Sequence, residues 1–209
     1  MHVCDTNWAS GGPKVKQLEE EWSDIFKYKR SVAMSSGTDA VISACLSLYD
    51  IMGAGRGYEV IVPALSFIAT SNAVRAAGLT PVFVDINKET LNIDESKIEA
   101  MINDKTVAIM PVHTMGRPAE MEIICDIADR YGLVVIEDAC EAHGATYKDK
   151  FIGHWGDMSV YSYYIAHLVC CGEGGMVSTN DDHIADVLAS CRSHGRPFNS
   201  IYFDHQRVG

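Results

Sequence analysis

TVAIMPV (106–112), PAEMEIICDIADRYG (118–132) and LVVIED (133–138) follow one another as an apolar run, an amphipathic segment opened by proline and closed by glycine, and a second apolar run. Val and Ile in sequence, with no polar alternation, predict strands buried on both faces, and the helical periodicity between them predicts the crossover that parallel strands need. The alternation continues in both directions. Upstream, SVAM (31–34), YEVIVP (58–63) and PVFVDI (81–86) read as strands. Helices are expected from Pro13 to about Tyr28, over 37–52 and over 66–78, and Asp94 is expected to cap an acidic helix to about Ile102. Downstream, KDKFIG (148–153) reads as a tight turn, MSVYSYY (158–164) and GMVSTN (175–180) as strands, and Asp181 to about Ser193 as a helix. The expected fold class is α/β, a three-layer, mainly parallel sheet.

With 209 residues, 47% of them hydrophobic and 22% charged, the chain has material for a substantial core. Its 17 basic against 28 acidic residues, a net charge of -11, argue against broad electrostatic binding to nucleic acid or an anionic membrane. An anionic ligand has to be held locally. No apolar run reaches the roughly 20 residues of a membrane span, and MHVCDTNWASGG at the start has neither the basic region nor the apolar stretch of a signal peptide. A cytoplasmic protein is expected. The seven cysteines include no C-x-x-C pair, so neither a disulfide framework nor a metal site is expected. Cys45 and Cys125 fall in apolar helical patterns and read as small buried hydrophobes. The final SIYFDHQRVG has neither a capping signal nor a polar tail, which suggests an α/β domain, residues 1–209, whose C-terminal part is absent.

In an open parallel sheet a ligand sits beyond the carboxyl ends of the strands, so the residues after each strand carry the functional information. After SVAM, the segment SSGTDA opens a helix with glycine and hydroxyls, a cradle for a phosphate, although an ordinary helix cap also explains Ser35, Ser36 and Thr38. PALSFIAT puts Phe67 at a helix start, where it could stack on a flat cofactor or simply join the core. EDACEAHGA closes a buried strand with Glu137 and Asp138; a buried carboxylate requires a partner, either a protonated pyridine nitrogen or an arginine. In YSYYIAHLVCCGEGG (161–175), Ser162 and His167 present a hydroxyl and an imidazole to the same cleft. GAGRGY (53–58) has three glycines, but a strand follows instead of a helix, so it reads as a loop and not a dinucleotide fingerprint.

In this order and spacing, SSGTDA, VPALSFIATSNAV, PVFVDI, IEDACEAHGA, GDMSVYSYYIAHLVCCGEGGMVSTN and RSHGRP (192–197) resemble the DegT/StrS-type sugar aminotransferases, across nearly the whole chain. The resemblance implies a fold type I, aspartate aminotransferase-like large domain, cut before a small C-terminal domain. It implies a pyridoxal or pyridoxamine 5'-phosphate cofactor, nucleotide-sugar substrates, L-glutamate as amino donor and a homodimer. By the same resemblance Gly37, Thr38, Asp39 and Ser162 contact the cofactor phosphate, Phe67 stacks on the ring, Asp138 meets its nitrogen and Glu141 lies beside the ring hydroxyl. Arg192, His194 and Arg196 offer local positive charge to a carboxylate or diphosphate.

The departure is at 167, where the family's usual pattern supplies the lysine that links the cofactor and this chain has His167. Imidazole cannot form that linkage, so the cofactor is expected to be held non-covalently. Relatives with the same histidine resemble GDP-4-keto-6-deoxymannose 3-dehydratase, in which that histidine is the base. The first expectation is therefore C3 deoxygenation of a 4-keto-6-deoxy sugar with His167 taking the proton. A sugar aminotransferase and a non-catalytic binding module are the alternatives. An iron-sulfur form of the dehydratase also exists in the family, with its cluster cysteines in the C-terminal part; Cys170 and Cys171 read as packed or partly exposed thiols.

Overall fold

The computed structural model describes residues 12–195. In chain order they form α1 (Pro13–Phe26), β1 (Arg30–Met34), α2 (Gly37–Ile51), β2 (Glu59–Pro63), α3 (Ile68–Ala76), β3 (Thr80–Val84), β4 (Thr106–Ile109), α4 (Met121–Tyr131), β5 (Val134–Asp138), β6 (Thr146–Tyr147), β7 (Lys150–Phe151), β8 (Met158–Ser162), β9 (Gly175–Thr179) and α5 (Asp182–Arg192). Four of these five helices carry their own boundary chemistry. Pro13 opens α1, Ser36 Oγ accepts from Asp39 N at 3.0 Å in α2, Gly132 in the left-handed region closes α4, and Asp181 Oδ1 accepts from Ile184 N at 3.0 Å in α5.

Seven strands form one sheet in the order β1-β9-β8-β5-β4-β2-β3. β9 alone runs against its neighbours, pairing antiparallel with both β1 and β8, while the remaining strands share one direction. The pleat sends alternate side chains to opposite layers. Val60, Val134, Ile136, Met158, Val160 and Val177 pack on one face with Ala44 and Leu48 of α2, Val74 of α3 and Leu188 of α5. Ile61, Ile109, Val135, Tyr161 and Met176 pack on the other with Trp22 of α1 and Met121 and Ile124 of α4. Three layers result, as the unbroken apolar strands require.

The acidic helix expected from Asp94 is not formed. Asp94 does cap, accepting from Ser96 N at 3.2 Å, but the chain continues as two short 3-10 turns, Glu95–Lys97 and Glu99–Met101. The segment is too short to repay helix nucleation, and only Ile98 of it reaches the core. The expected turn at KDKFIG is a two-residue hairpin in which Lys148 and Asp149 both have positive φ, 49° and 60°, the geometry that matches strand twist. Gly53 and Gly57 lie in a loop with positive φ, as expected.

Glu137 of β5 is fully buried and saturated with donors. Its Oε1 accepts from Trp155 N and Gly156 N, each at 2.7 Å, and its Oε2 accepts from Gly153 N at 2.7 Å. His113 Nδ1 accepts from Ala119 N at 3.1 Å, so its Nε2 carries the hydrogen and donates to Glu137 Oε2, also at 3.1 Å. The carboxylate thus ties the 113–119 and 153–156 loops to the central strand. Replacing Glu137 with Gln turns one acceptor oxygen into a donor facing backbone N–H groups. A loss of about 3 kcal/mol or more is expected in urea unfolding of the full-length protein; a loss below about 1 kcal/mol would show that the network is dispensable.

Candidate active site

β1, β2, β5 and β8 share one direction, so the four junctions singled out in the sequence open on the same edge of the sheet. At β1–α2, three segments meet at van der Waals limits. A Cβ on Gly37 would lie 2.5 Å from Ser162 Cβ, and one on Gly175 would lie 2.2 Å from the Ser36 carbonyl oxygen. Glycine at both positions lets the start of α2 sit directly against the end of β8. The first N–H groups of a helix have no acceptor within it, so Gly37 and Thr38 offer theirs to an anion. Asp39 plays a different part: its N–H is taken by Ser36 Oγ and its carboxylate by the Ser35 hydroxyl. It orders the turn and leaves no open donor of its own for a phosphate.

At β2–α3, Phe67 is the N-cap of α3 and is 75% exposed, which removes the core reading and leaves the ring free to cover a ligand. One turn on, Thr70 is buried and donates its hydroxyl to Asp138 Oδ2 at 3.1 Å. Asp138 Oδ1 accepts from Cys140 N at 3.3 Å. No ion pair to Asp138 is formed among the described residues, so the arginine alternative is not realised. Burial pushes the carboxyl above its ordinary range, with the Cys140 thiol, the Cys140 N–H and the Thr70 hydroxyl opposing. A desolvated carboxylate without a cation, at the strand end and beside an exposed aromatic ring, fits the ring nitrogen of a protonated pyridine. Glu141 is half-buried and its Oε2 accepts from Met115 N at 2.6 Å, which fixes it on the neighbouring loop.

Past β8, Ser162 is buried and its Oγ accepts from Tyr164 N at 3.3 Å. The chain then makes a closed excursion, Tyr163 N donating to Gly174 O at 2.9 Å and Cys171 N to Tyr163 O at 3.0 Å. His167 sits within it, its N–H on the Tyr164 carbonyl at 2.9 Å and its ring 6.1 Å from the Tyr164 ring and 6.3 Å from that of His143. Cys170 and Cys171 are exposed free thiols. No group of three or more metal-ligating side chains exists among the described residues.

Arg192 is occupied elsewhere. Its guanidinium pairs with Glu19 of α1 and donates to the Ala33 carbonyl at 3.3 Å, so it ties α5 to α1 and β1 and is not the open cation read from the sequence. His194 is exposed with φ 64°, and Arg196 lies outside the described residues. Thr70, His143 and Gly175 were not singled out by sequence. Thr70 was findable as the residue one turn after Phe67; Gly175 stood in a glycine pair with nothing to say which member makes the close approach.

The DegT/DnrJ/EryC1/StrS aminotransferase family model matches residues 1–209. GDP-perosamine synthase from Caulobacter vibrioides is 42% identical over 204 residues, 97% of this chain and 54% of that protein. The structure of E. coli GDP-4-keto-6-deoxy-D-mannose-3-dehydratase with bound hydrated PLP superposes with a TM-score of 0.86 at 34% identity, over 93% of this chain and 50% of that one. That of NtdA from Bacillus subtilis with bound PMP gives 0.89 at 37%, over 97% and 45%. The chain spans about half the length of the relatives it matches. No helix among the described residues is long and apolar enough to cross a membrane. With the family model matching along its whole length and a 42% identical relative covering 97% of it, the chain belongs to the DegT/DnrJ/EryC1/StrS aminotransferase family.

Proposed function

We propose that the chain is the cofactor-binding large domain of a cytoplasmic, pyridoxamine phosphate-dependent 3-dehydratase acting on a nucleotide-linked 4-keto-6-deoxy sugar. The observation that carries this reading is His167 at the position where the family pattern has its linking lysine. When bound, the cofactor supplies an amine for the sugar's C4 ketone and a conjugated ring that accepts electrons. The chain's own residues do the rest. The N–H groups of Gly37 and Thr38 and the Ser162 hydroxyl hold the phosphate, with Asp39 ordering the turn beneath it. Phe67 covers one ring face, Asp138 keeps the ring nitrogen protonated, and Glu141 stands beside the ring hydroxyl. His167 takes a proton from the methylene carbon of the cofactor and can return one to the departing C3 hydroxyl.

L-glutamate is the amino donor in this reading. The protein acts as a homodimer, for which the exposed Leu65, Ile68, Met115, Ile165 and Leu168, on the loops after β2, β4 and β8, offer an apolar contact surface around the site. The substrate diphosphate falls to His194 and Arg196, since Arg192 is neutralised by Glu19. A sugar aminotransferase is the second reading, favoured by the likeness to GDP-perosamine synthase. A non-catalytic module is not supported by the likeness to GDP-perosamine synthase and the 3-dehydratase, which are enzymes by name.

The deciding experiment incubates the full-length protein with pyridoxal phosphate, L-glutamate and a GDP- or dTDP-linked 4-keto-6-deoxy sugar and weighs the products. A sugar lacking one oxygen is expected; a retained amino group would establish the aminotransferase instead. Borohydride reduction should leave no lysine carrying cofactor in the wild type, while His167→Lys should acquire one such adduct. An adduct on a native lysine contradicts non-covalent binding. Asp138→Asn should weaken cofactor retention in equilibrium dialysis by about 10- to 100-fold, the value of a charge-assisted hydrogen bond of roughly 1.5–3 kcal/mol. Unchanged retention would remove Asp138 from the site.

A further inference from the structure

Behind the loop that carries His167 lies a second imidazole with no task in the proposed chemistry. His143 packs among Trp22 of α1 and Tyr161 and Tyr163 of the β8 segment, with ring centroids at 5.9, 5.6 and 6.2 Å. Its fourth ring neighbour is His167, at 6.3 Å. Neither Nδ1 nor Nε2 of His143 makes a well-formed hydrogen bond among the described residues, the Ser162 backbone being the one hydrogen-bonding group that acts on the ring, and Trp22 Nε1 and Tyr163 Oη in the same box are likewise unpaired. A leucine would fill the space without burying two more unpaired nitrogens, so packing alone does not account for an imidazole here.

The titratable groups facing His143 are His167, Tyr161 and Tyr163. Burial pushes both phenols up, so they stay neutral, and Tyr161 Oη is already spent on Tyr28 and the Ile152 carbonyl. Burial, then the charge of His167, push His143 down to about 4. A histidine so lowered is neutral at every pH above that value, and a neutral ring has one nitrogen free to accept. The gap to His167 is beyond a direct hydrogen bond but within reach of one bridging water.

We propose that His143 is the positioning residue of His167: through one water shared with Tyr163 and Trp22, it accepts the N–H of His167 and fixes that ring's tautomer and orientation. The nitrogen of His167 that faces the substrate is then the unprotonated one a base requires. This inference rests on His167 being the base, but its first readout does not need turnover.

The test uses the full-length protein with nitrogen-15 histidine, as wild type, H143L and H143Q, and reads imidazole tautomers by long-range proton–nitrogen NMR without substrate. His167 should show a single tautomer in the wild type and in H143Q, whose amide oxygen can still accept, and a mixture in H143L. In turnover, H143L should lose part of the roughly 10²–10⁴-fold that a positioned base contributes, in kcat with KM unchanged, and H143Q should recover it. A single His167 tautomer and full kcat in H143L overturn the proposal. Should H143L not fold, Tyr163→Phe removes one hydroxyl from the bridge and must still mix the tautomers; a fixed tautomer there overturns it equally. If the wild-type product carries an amino group, the dehydratase reading falls, while the tautomer result still decides the His143–His167 pair.

Discussion

The carboxylate of Glu137 is the constraint on which the rest of the structure depends. It lies fully buried in the central strand β5, and three backbone N–H groups and one imidazole converge on it. A charge in that position is tolerable only when all its acceptor capacity is used, so the loops bringing the donors have no freedom to be elsewhere. The same constraint explains the glycines of the 153–156 loop. A Cβ on Gly153 would lie 1.9 Å from Tyr28 Oη, and one on Gly156 would lie 2.6 Å from the Val135 carbonyl oxygen, so only glycine lets the chain wrap this closely. Because that loop leads into β8, the wrapping also sets where β8 ends, and hence where Ser162 and the His167 loop begin.

Asp138, the next residue, shows the opposite treatment. Strand alternation turns it to the other face of the sheet, toward α3, where the Thr70 hydroxyl, the Cys140 thiol and one distant N–H are its protein partners. Two adjacent carboxylates, one saturated and one with fewer donors, thus differ in role: the first holds the fold, and the second is the one proposed to meet a ligand. Saturating Asp138 in the same way would remove its appetite for a cation. Leaving Glu137 short of donors would loosen the loops that make the site.

The alternation of strands and helices was legible because burial on both faces writes itself as Val and Ile runs, and glycine, proline and Asp or Ser caps mark where each element stops. The four junctions stood out for a related reason: residues such as Asp138 and Phe67 are unusual at buried strand ends or helix starts, and strand direction brings those junctions to one edge of the sheet. What could not be read depends on long-range placement. The Asp94 segment has the pattern of a helix but lacks the length and the apolar anchors to hold one. Arg192 reads as a free cation until α1 delivers Glu19 to it from 173 residues away. His143 is indistinguishable in sequence from a surface histidine, and its meaning comes from Trp22 and His167, which reach it from two separate parts of the chain.

The charge balance ties these features together. An acidic chain with a net charge of -11 that is proposed to hold an anionic cofactor and an anionic sugar nucleotide needs local compensation. Position 167 carries an imidazole, and Arg192 is already paired. What the described strand ends do offer is dipolar: the N–H groups at the start of α2 and the Ser162 hydroxyl, brought within contact distance by Gly37 and Gly175. Dipoles fixed by backbone geometry need no counter-charge and no proton, so in the proposed reading the phosphate is held without a cationic side chain.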